Sequence, residues 1–197
     1  MSEISKWLGQ RFGGEHLPPG QHRVNRLPVL DLGIHPVVAL ADWRLTIHGL
    51  VNNSLVLSWE ELRALPQVEI TADIHCVTRW SCLDVHWSGV AVKQLLESVE
   101  PQPEGRFVTL HSYDNYTTNL PLAALLDDDV LLAHSLNGEP LSVEHGGPVR
   151  LVVPKRYFWK SAKWLKAIEI HAEDRPGFWE VRGYHNEAFP WEEQRFG

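Results

Sequence analysis

The sequence predicts an α+β fold dominated by mixed sheet, and three observations lead to this class. Short segments of alternating or continuous apolar residues recur along the chain, which is typical of strands. Amphipathic stretches with helical spacing are few and short. Turn signals such as Asn137-Gly138 separate the apolar segments. Many short strands combined with a few short helices indicate mixed sheets with helices at their margins.

Local patterns place the individual elements. Strands are predicted over residues 43–50, 68–75, 106–112, 116–120, 130–135, 149–153 and 166–171. Ser58 and Glu61 form a capping-box pattern that begins a short helix, which ends near Pro66. A second helix is predicted over residues 90–99, and a single helical turn over residues 121–126.

The chain is expected to form an arm and one domain. Residues 1–40 contain too many glycines and prolines for a helix and predict an irregular arm, whose apolar residues favour packing on the domain. Residues 41–197 have the length of one domain. Large aromatic residues are concentrated near its C-terminus: Phe178, Trp179, Tyr184, Phe189 and Trp191. Because exposing them together would create an association-prone patch, we expect this segment to wrap back near the functional site, anchored by Trp179 and Trp191.

Composition and charge exclude several classes of function. The 197 residues carry a formal net charge of −7, whereas nucleic-acid binders usually present a basic face. No apolar run reaches the length of a membrane-spanning helix. The N-terminal sequence has neither the apolar core of a signal peptide nor a twin-arginine pair, so we expect a cytoplasmic protein. Cys76 and Cys82 are then expected to be free, buried or metal-bound, because disulfides are rare in the cytoplasm.

Cys76 is the first candidate for chemistry. It follows the strand predicted over residues 68–75 and precedes a polar turn, a position where functional side chains are often presented. Arg79 is near enough in sequence to favour the thiolate electrostatically. Two other interpretations stay open, a buried structural cysteine and a zinc site whose ligand spacing would be unusual. The candidate zinc ligands are His75, Cys76, Cys82 and His86.

The second candidate is a segment without acidic residues, 145–168, which we call the basic segment. It holds six of the eighteen lysines and arginines: Arg150, Lys155, Arg156, Lys160, Lys163 and Lys166. Gly146 and Gly147 would let the backbone approach a ligand, and a helical turn around Ser161 and Lys163 would suit a phosphate. The alternative is a solvated basic face that balances an acidic protein. Interleaved aromatic residues weaken that alternative, because burying such a segment without an anion is costly.

Together these segments resemble the molybdopterin-binding domain of the sulfite oxidase superfamily over roughly residues 43–191. The cysteine motif is Ile74-His75-Cys76-Val77-Thr78-Arg79-Trp80-Ser81, and Trp87-Ser88-Gly89-Val90 follows it. The most specific motif is Gly147-Pro148-Val149-Arg150-Leu151-Val152-Val153-Pro154, continued by Tyr157, Lys160-Ser161 and Lys163-Trp164-Leu165. The closing segment is Gly177-Phe178-Trp179-Glu180, then Gly183-Tyr184-His185-Asn186 and Pro190-Trp191.

The resemblance implies a mononuclear molybdenum held by a pterin dithiolene and by one protein thiolate, which would be Cys76. Soft thiolate sulfur suits the redox role of the metal. The pterin phosphate, expected in the form without an added nucleotide, would be the anion beside the basic segment. The residues assigned to cofactor binding are Asn25, His75, Cys76, Ser112, His145, Arg150, Ser161, Ala162 and Lys163. The predicted catalytic residues are Cys76, Arg79 and Trp80, the last two as lining of a substrate channel.

The resemblance also predicts the activity, which is oxygen-atom transfer or two-electron redox on a small sulfite- or sulfoxide-like substrate. The cysteine motif resembles the bacterial reductase branch, including methionine-sulfoxide reductases, more than true sulfite oxidases. The expected partners are a small-molecule substrate and a separate electron donor or acceptor protein, without nucleic acid or a membrane span. The alternative functions are a non-catalytic carrier of the molybdenum cofactor and a zinc-stapled structural domain.

Overall fold

The computed structural model describes residues 16–197, so the first part of the arm predicted over residues 1–40 lies outside the described residues. The described strands are β1 His22–Val24, β2 Arg44–Gly49, β3 Leu55–Ser58, β4 Val68–His75, β5 Trp80–Ala91, β6 Phe107–Ser112, β7 Thr117–Pro121, β8 Leu131–Leu136, β9 Glu139–Pro140, β10 Arg150–Val152 and β11 Leu165–His171. The α-helices are α1 Trp59–Ala64 and α2 Val92–Val99. The 3₁₀ helices are Leu122–Leu126, Phe158–Lys160, Glu180–Arg182 and Pro190–Glu192. No helix within this part of the chain is long and apolar enough to cross a membrane.

The strands form two mixed sheets, which confirms the predicted α+β class. The first sheet has the order β1-β5-β8-β10, with β4 also paired to β5 and β9 to β8. Within it, β5 runs parallel to β1 and antiparallel to β4 and β8. The second sheet has the order β3-β2-β11-β6-β7, in which β11 is parallel to β2 and antiparallel to β6.

The core consists of two clusters of buried side chains. The larger cluster takes residues from both sheets and from α2, while the smaller one surrounds Cys76 and includes Trp80 and Trp87. Gly89 explains the close pairing of β5 with β8, since a Cβ atom there would lie 2.0 Å from the carbonyl oxygen of Leu132. The candidate site therefore lies beside a rigid sheet centre.

Most of the predicted elements are confirmed, with small shifts at their ends. Strand β4 has the predicted bounds, and α1 carries both hydrogen bonds of the capping box between Ser58 and Glu61. The sequence interpretation missed most of β5, because its residues are buried on both faces where it begins and show no alternation there.

The arm is not wholly irregular, which corrects the prediction for residues 1–40. His22 pairs with Trp80 through the parallel β1–β5 ladder, and Gln21 Nε2 donates a hydrogen bond to the carbonyl oxygen of Cys76 (3.0 Å). The arm thus packs on the turn that carries Cys76, as its apolar residues suggested, although Val29 and Leu30 remain exposed.

Candidate active site

A tight turn between β4 and β5 presents Cys76. The Cys76 amide donates to the carbonyl oxygen of Trp80 (2.9 Å), and the Arg79 amide donates to the carbonyl oxygen of Cys76 (3.0 Å). Arg79 has a φ of 75°, in the left-handed region that costs a residue with a Cβ roughly 1–2 kcal/mol. The turn leaves the Cys76 side chain buried at the end of β4 and the Arg79 side chain exposed.

The surroundings of the Cys76 thiol act on its ionisation in opposite directions. Burial raises the pKa of Cys76, whereas the Thr78 hydroxyl, which donates to Sγ at 3.2 Å, and the Arg195 charge lower it. Arg195 is held in place by hydrogen bonds to the carbonyl oxygens of Val77 (2.8 Å) and Pro19 (3.0 Å). Arg195, near the end of the chain, thus supplies a charge that stabilises the thiolate, and the same effect expected of Arg79 stays a prediction.

A cavity of about 290 Å³ lies beside Cys76. It brings together seven of the predicted site residues: Cys76, Trp80, His145, Arg150, Ser161, Ala162 and Lys163. The other walls come from the arm, from the loop between β6 and β7, and from the C-terminal segment: Pro28, Val29, Leu30, Asp31, Leu32, Asp114, Tyr116, Trp179 and Tyr184. The turn between β4 and β5 and the basic segment thus contribute to the wall of one cavity.

Four predicted site residues do not line this cavity. Asn25 is exposed in the arm, and Arg79 is exposed on the turn, away from the predicted substrate channel. His75 is buried and hydrogen-bonded through Nδ1 to Ser81 Oγ (2.8 Å), and burial lowers its pKa to about 4. Ser112 lines a separate cavity of about 310 Å³, where its buried hydroxyl has no hydrogen-bond partner within residues 16–197.

Arg150 is the most buried cation in the cavity wall. Its guanidinium donates to the carbonyl oxygens of His145 (2.9 Å) and Ser161 (2.8 Å), and it lies 4.1 Å from the ring centre of Phe158. Within the described chain it forms no ion pair with a carboxylate. Burial lowers its pKa to about 9. An uncompensated buried cation beside a cavity is the arrangement expected where an anion binds.

Lys163 is the second cation of the cavity wall. Its ammonium group donates to the carbonyl oxygen of Glu144 (2.8 Å) and lies 3.5 Å from Asp31 Oδ2. Burial, reinforced by the charge of Arg150, lowers the pKa of Lys163 to about 8. Asp31 belongs to the arm, so the arm covers this cation in the structure as it stands.

The remaining cations of the basic segment serve other contacts. Three of them pair with carboxylates elsewhere, in Lys155–Asp127 (3.0 Å), Arg156–Glu187 (3.5 Å) and Lys160–Glu180 (2.7 Å). Of the six cations predicted to form an anion site, only Arg150 and Lys163 line the cavity. The basic segment is therefore partly an anion site and partly a set of structural ion pairs.

Two details of the basic segment correct the sequence interpretation. The residues after Phe158–Lys160 run irregularly into β11, so the helical turn expected around Ser161 and Lys163 is not formed. A Cβ atom at Gly146 would lie 2.8 Å from Lys163 Cβ, and one at Gly147 would lie 2.4 Å from the carbonyl oxygen of Leu141. These glycines therefore allow close packing inside the protein, whereas the sequence interpretation had them approach a ligand.

The C-terminal segment contributes to the wall of the cavity. Trp179 and Tyr184 line the cavity, and Glu180 and Arg195 are buried. The prediction of Trp191 as an anchor is wrong, because its side chain is 46% exposed and has ring contacts with His16 and His75. Sequence reasoning missed Glu180 and Arg195, since a charged residue in a turn-rich terminus gives no local sign of burial.

A zinc site is not supported by the geometry. Within residues 16–197, no three His, Cys, Asp or Glu side chains are grouped so that they could hold a metal ion. His86 is exposed and hydrogen-bonded to Thr71, away from the cavity.

Comparisons with known proteins agree with the fold. Residues 32–179 match the family described as oxidoreductase molybdopterin binding domain. An uncharacterized oxidoreductase of Bacillus subtilis, YuiH, is 46% identical over 181 residues, covering 91% of each chain. The mitochondrial sulfite oxidase of Drosophila melanogaster is 29% identical over 187 residues, covering 81% of this chain and 31% of that protein. The sulfane dehydrogenase SoxCD of Paracoccus pantotrophus has a similar solved structure, with a TM-score of 0.64 and 28% identity over 71% of this chain and 40% of that one.

The chain therefore belongs to the molybdopterin-binding oxidoreductase family and is an enzyme of the sulfite oxidase superfamily. Its cofactor is a molybdenum cofactor. The match with YuiH extends over nearly the whole length of both chains, whereas sulfite oxidase and SoxCD extend well beyond the matched region.

Proposed function

We propose that the chain catalyses oxygen-atom transfer to or from a small sulfite- or sulfoxide-like substrate, with Cys76 as the protein ligand to molybdenum. The observation that carries this proposal is the meeting of a buried thiol, a buried arginine and a partly buried lysine in the wall of one cavity. A thiolate is the soft donor that the metal requires, and the cations suit a phosphate.

The residues of the cavity fit the cofactor chemically. Arg150 and Lys163 would hold its phosphate, because Arg150 has no carboxylate partner within the described chain and Lys163 has only Asp31. The indole nitrogen of Trp80 is buried without an acceptor in residues 16–197, although Trp80 lines the cavity. A buried donor without a partner is rare in native proteins, and a bound acceptor would satisfy it.

Ser161, Ala162 and His145 would complete the cofactor contacts from the basic segment. The Ser161 hydroxyl already accepts a hydrogen bond from the Val153 amide (2.9 Å), so its proton stays available to donate. The His145 ring lies between Ser142 Oγ (3.0 Å) and the carbonyl oxygen of Leu27 (3.2 Å), which ties the cavity wall to the arm. Contacts from Asn25, His75 and Ser112 remain predictions.

The protein prepares the thiol for ligation. Burial favours the neutral thiol, so the Thr78 hydrogen bond and the Arg195 charge are needed to stabilise the thiolate. When bound, the cofactor supplies two-electron redox and exchange of an oxygen atom with the substrate. Trp80, at the end of the same turn, would shield this region from water.

Turnover by this chemistry requires an electron donor or acceptor, which we propose is a separate protein. We also propose the cofactor form without an added nucleotide, since two cations match one phosphate group. The cytoplasmic location is a prediction that cell fractionation would test.

The test is expression in a host that makes the cofactor, followed by molybdenum analysis and assays with sulfite plus an acceptor dye and with methionine sulfoxide plus a reduced dye. We expect molybdenum to copurify and one substrate to turn over. Cys76→Ser should abolish turnover, and the control Cys82→Ser, at an equally buried thiol outside the cavity, should retain it. A protein that holds molybdenum but turns over neither substrate would support the carrier, and one without molybdenum would contradict the proposal.

A further inference from the structure

Glu180 joins three separate parts of the chain through one carboxylate oxygen. Its Oε1 atom lies 2.7 Å from Lys160 Nζ and accepts hydrogen bonds from Trp159 Nε1 (2.9 Å) and Thr118 Oγ1 (2.9 Å). Thr118 belongs to β7, Lys160 to the basic segment and Glu180 to the C-terminal segment. Glu180 itself does not line the cavity.

Stability alone does not explain this arrangement. The side chains of Lys160 and Glu180 are 0% and 2% exposed, and a pair buried to this extent is often no more stable than two apolar side chains of the same volume. The second carboxylate oxygen, Oε2, is buried without a partner in residues 16–197, which adds to the cost. Because the Lys160–Glu180 pair is costly to bury and its carboxylate also binds the Trp159 indole, we look for its role in the position of Trp159.

The residue that Glu180 holds is part of the cavity wall. Trp159 lines the cavity together with Trp179 and Tyr184. Its indole ring stacks on Tyr157 (5.4 Å between ring centres) and meets Tyr184 edge to face (5.2 Å). The bond from Nε1 to Glu180 is the polar contact that sets which way the indole faces.

We propose that Glu180 is a positioning residue for the site, acting through the indole of Trp159 to set the aromatic wall of the cavity. This inference rests on the proposed use of the cavity for the cofactor and its substrate. The wall determines how the substrate packs, so losing the position of Trp159 should weaken substrate binding more than it slows turnover.

The test is a paired variant that removes the acceptor together with its cation, Lys160→Met with Glu180→Leu, which also removes the hydrogen bonds from Lys160 to Asn119. Its matched control is Arg156→Met with Glu187→Leu. This control also removes an ion pair between the basic segment and the C-terminal segment, but neither of its residues lines the cavity. A second variant, Trp159→Phe, keeps an aromatic ring but removes the N–H donor together with the five-membered ring of the indole.

Three readouts separate positioning from mere stability. Hydrogen exchange of the Trp159 indole N–H, assigned in NMR spectra by comparison with Trp159→Phe, should be at least tenfold faster in the paired variant than in the control. The visible absorption of the bound cofactor should shift in both the paired variant and Trp159→Phe, at wild-type molybdenum content. KM should rise about tenfold with kcat changed less than threefold.

Unchanged indole exchange in the paired variant would overturn the inference. An absorption spectrum and a KM like those of the wild type in Trp159→Phe would also overturn the inference. This result decides the question even if the paired variant does not fold. A wild-type protein without molybdenum would contradict the proposed function instead, and indole exchange would still decide whether Glu180 positions Trp159.

Discussion

Replacing Arg150 by Met should separate cofactor binding from stability. Methionine removes the charge of the buried guanidinium and keeps much of its volume. Burial lowers the pKa of Arg150 to about 9, which corresponds to a penalty of roughly 5 kcal/mol on the charged form, at about 1.4 kcal/mol per pKa unit. The variant escapes that penalty but leaves the carbonyl oxygens of His145 and Ser161 without a donor, at about 1–3 kcal/mol each. The two effects nearly cancel.

We therefore expect the unfolding free energy of the cofactor-free variant to change by between about 3 kcal/mol of stabilisation and about 1 kcal/mol of destabilisation, so that any fall in Tm stays well within about 8 °C. Losing one charge-assisted contact of about 1.5–3 kcal/mol should weaken cofactor retention by about 10- to 100-fold. Calorimetry of the cofactor-free protein and molybdenum content after gel filtration measure the two effects.

The control is Arg156→Met, which removes a cation paired with Glu187 and outside the cavity wall. It should retain molybdenum at the wild-type level. Full molybdenum retention by Arg150→Met, or a Tm lower by much more than 8 °C, would refute the assignment of Arg150 as an anion-binding residue that the empty fold does not need.

Three further predictions follow from the described contacts. The pKa of Lys163 is lowered to about 8, so Lys163 loses its charge and retention of an anionic cofactor should fall as pH rises above about 8. Dialysis at pH 7–10 followed by metal analysis tests this. Molybdenum content that does not change over this pH range would contradict it. Burial and the nearby Arg63 lower the pKa of His134 to about 4, below its value of about 6.5 in the unfolded chain. The unfolded state therefore binds a proton first as pH falls. The stability present above pH 6.5 is lost as pH falls towards 4, by at most about 3 kcal/mol. Urea unfolding at pH 7 and 4.5 should show that His134→Gln reduces this loss, and an undiminished loss would count against burial of the neutral ring. Deleting the chain after Arg175 removes the carboxylate partner of the buried Lys160 ammonium, which keeps only its hydrogen bonds to Asn119, and should cost at least about 3–5 kcal/mol. An unchanged Tm with full cofactor content would show that the segment is dispensable.

Local signals predicted the elements that depend on local physics. The capping box at Ser58 and Glu61 needs only four residues, and β4 has an apolar alternation that its neighbours do not disturb. Cys76 could be placed at a strand end for the same reason, because the polar turn follows it directly in the sequence.

Contacts between distant segments could not be predicted in the same way. Arg195 acts on the Cys76 thiol from more than one hundred residues away in the sequence, while Arg79, only three residues away, is exposed. Of the cations in the basic segment, only burial and pairing in the folded chain distinguish Arg150 and Lys163 from Lys155 and the others. Sequence composition predicted an anion site, and the fold selects the residues that form it.

X-ray absorption at the molybdenum edge tests the central claim most directly, because it counts the sulfur atoms bound to the metal. Cys76 and Cys82 are both buried and free, but only Cys76 lines the cavity. Cys76→Ser should lose one sulfur from the metal's coordination relative to the wild type, and Cys82→Ser should not. An unchanged sulfur count in Cys76→Ser, or the loss of a sulfur in Cys82→Ser, would contradict the assignment of Cys76 as the molybdenum ligand.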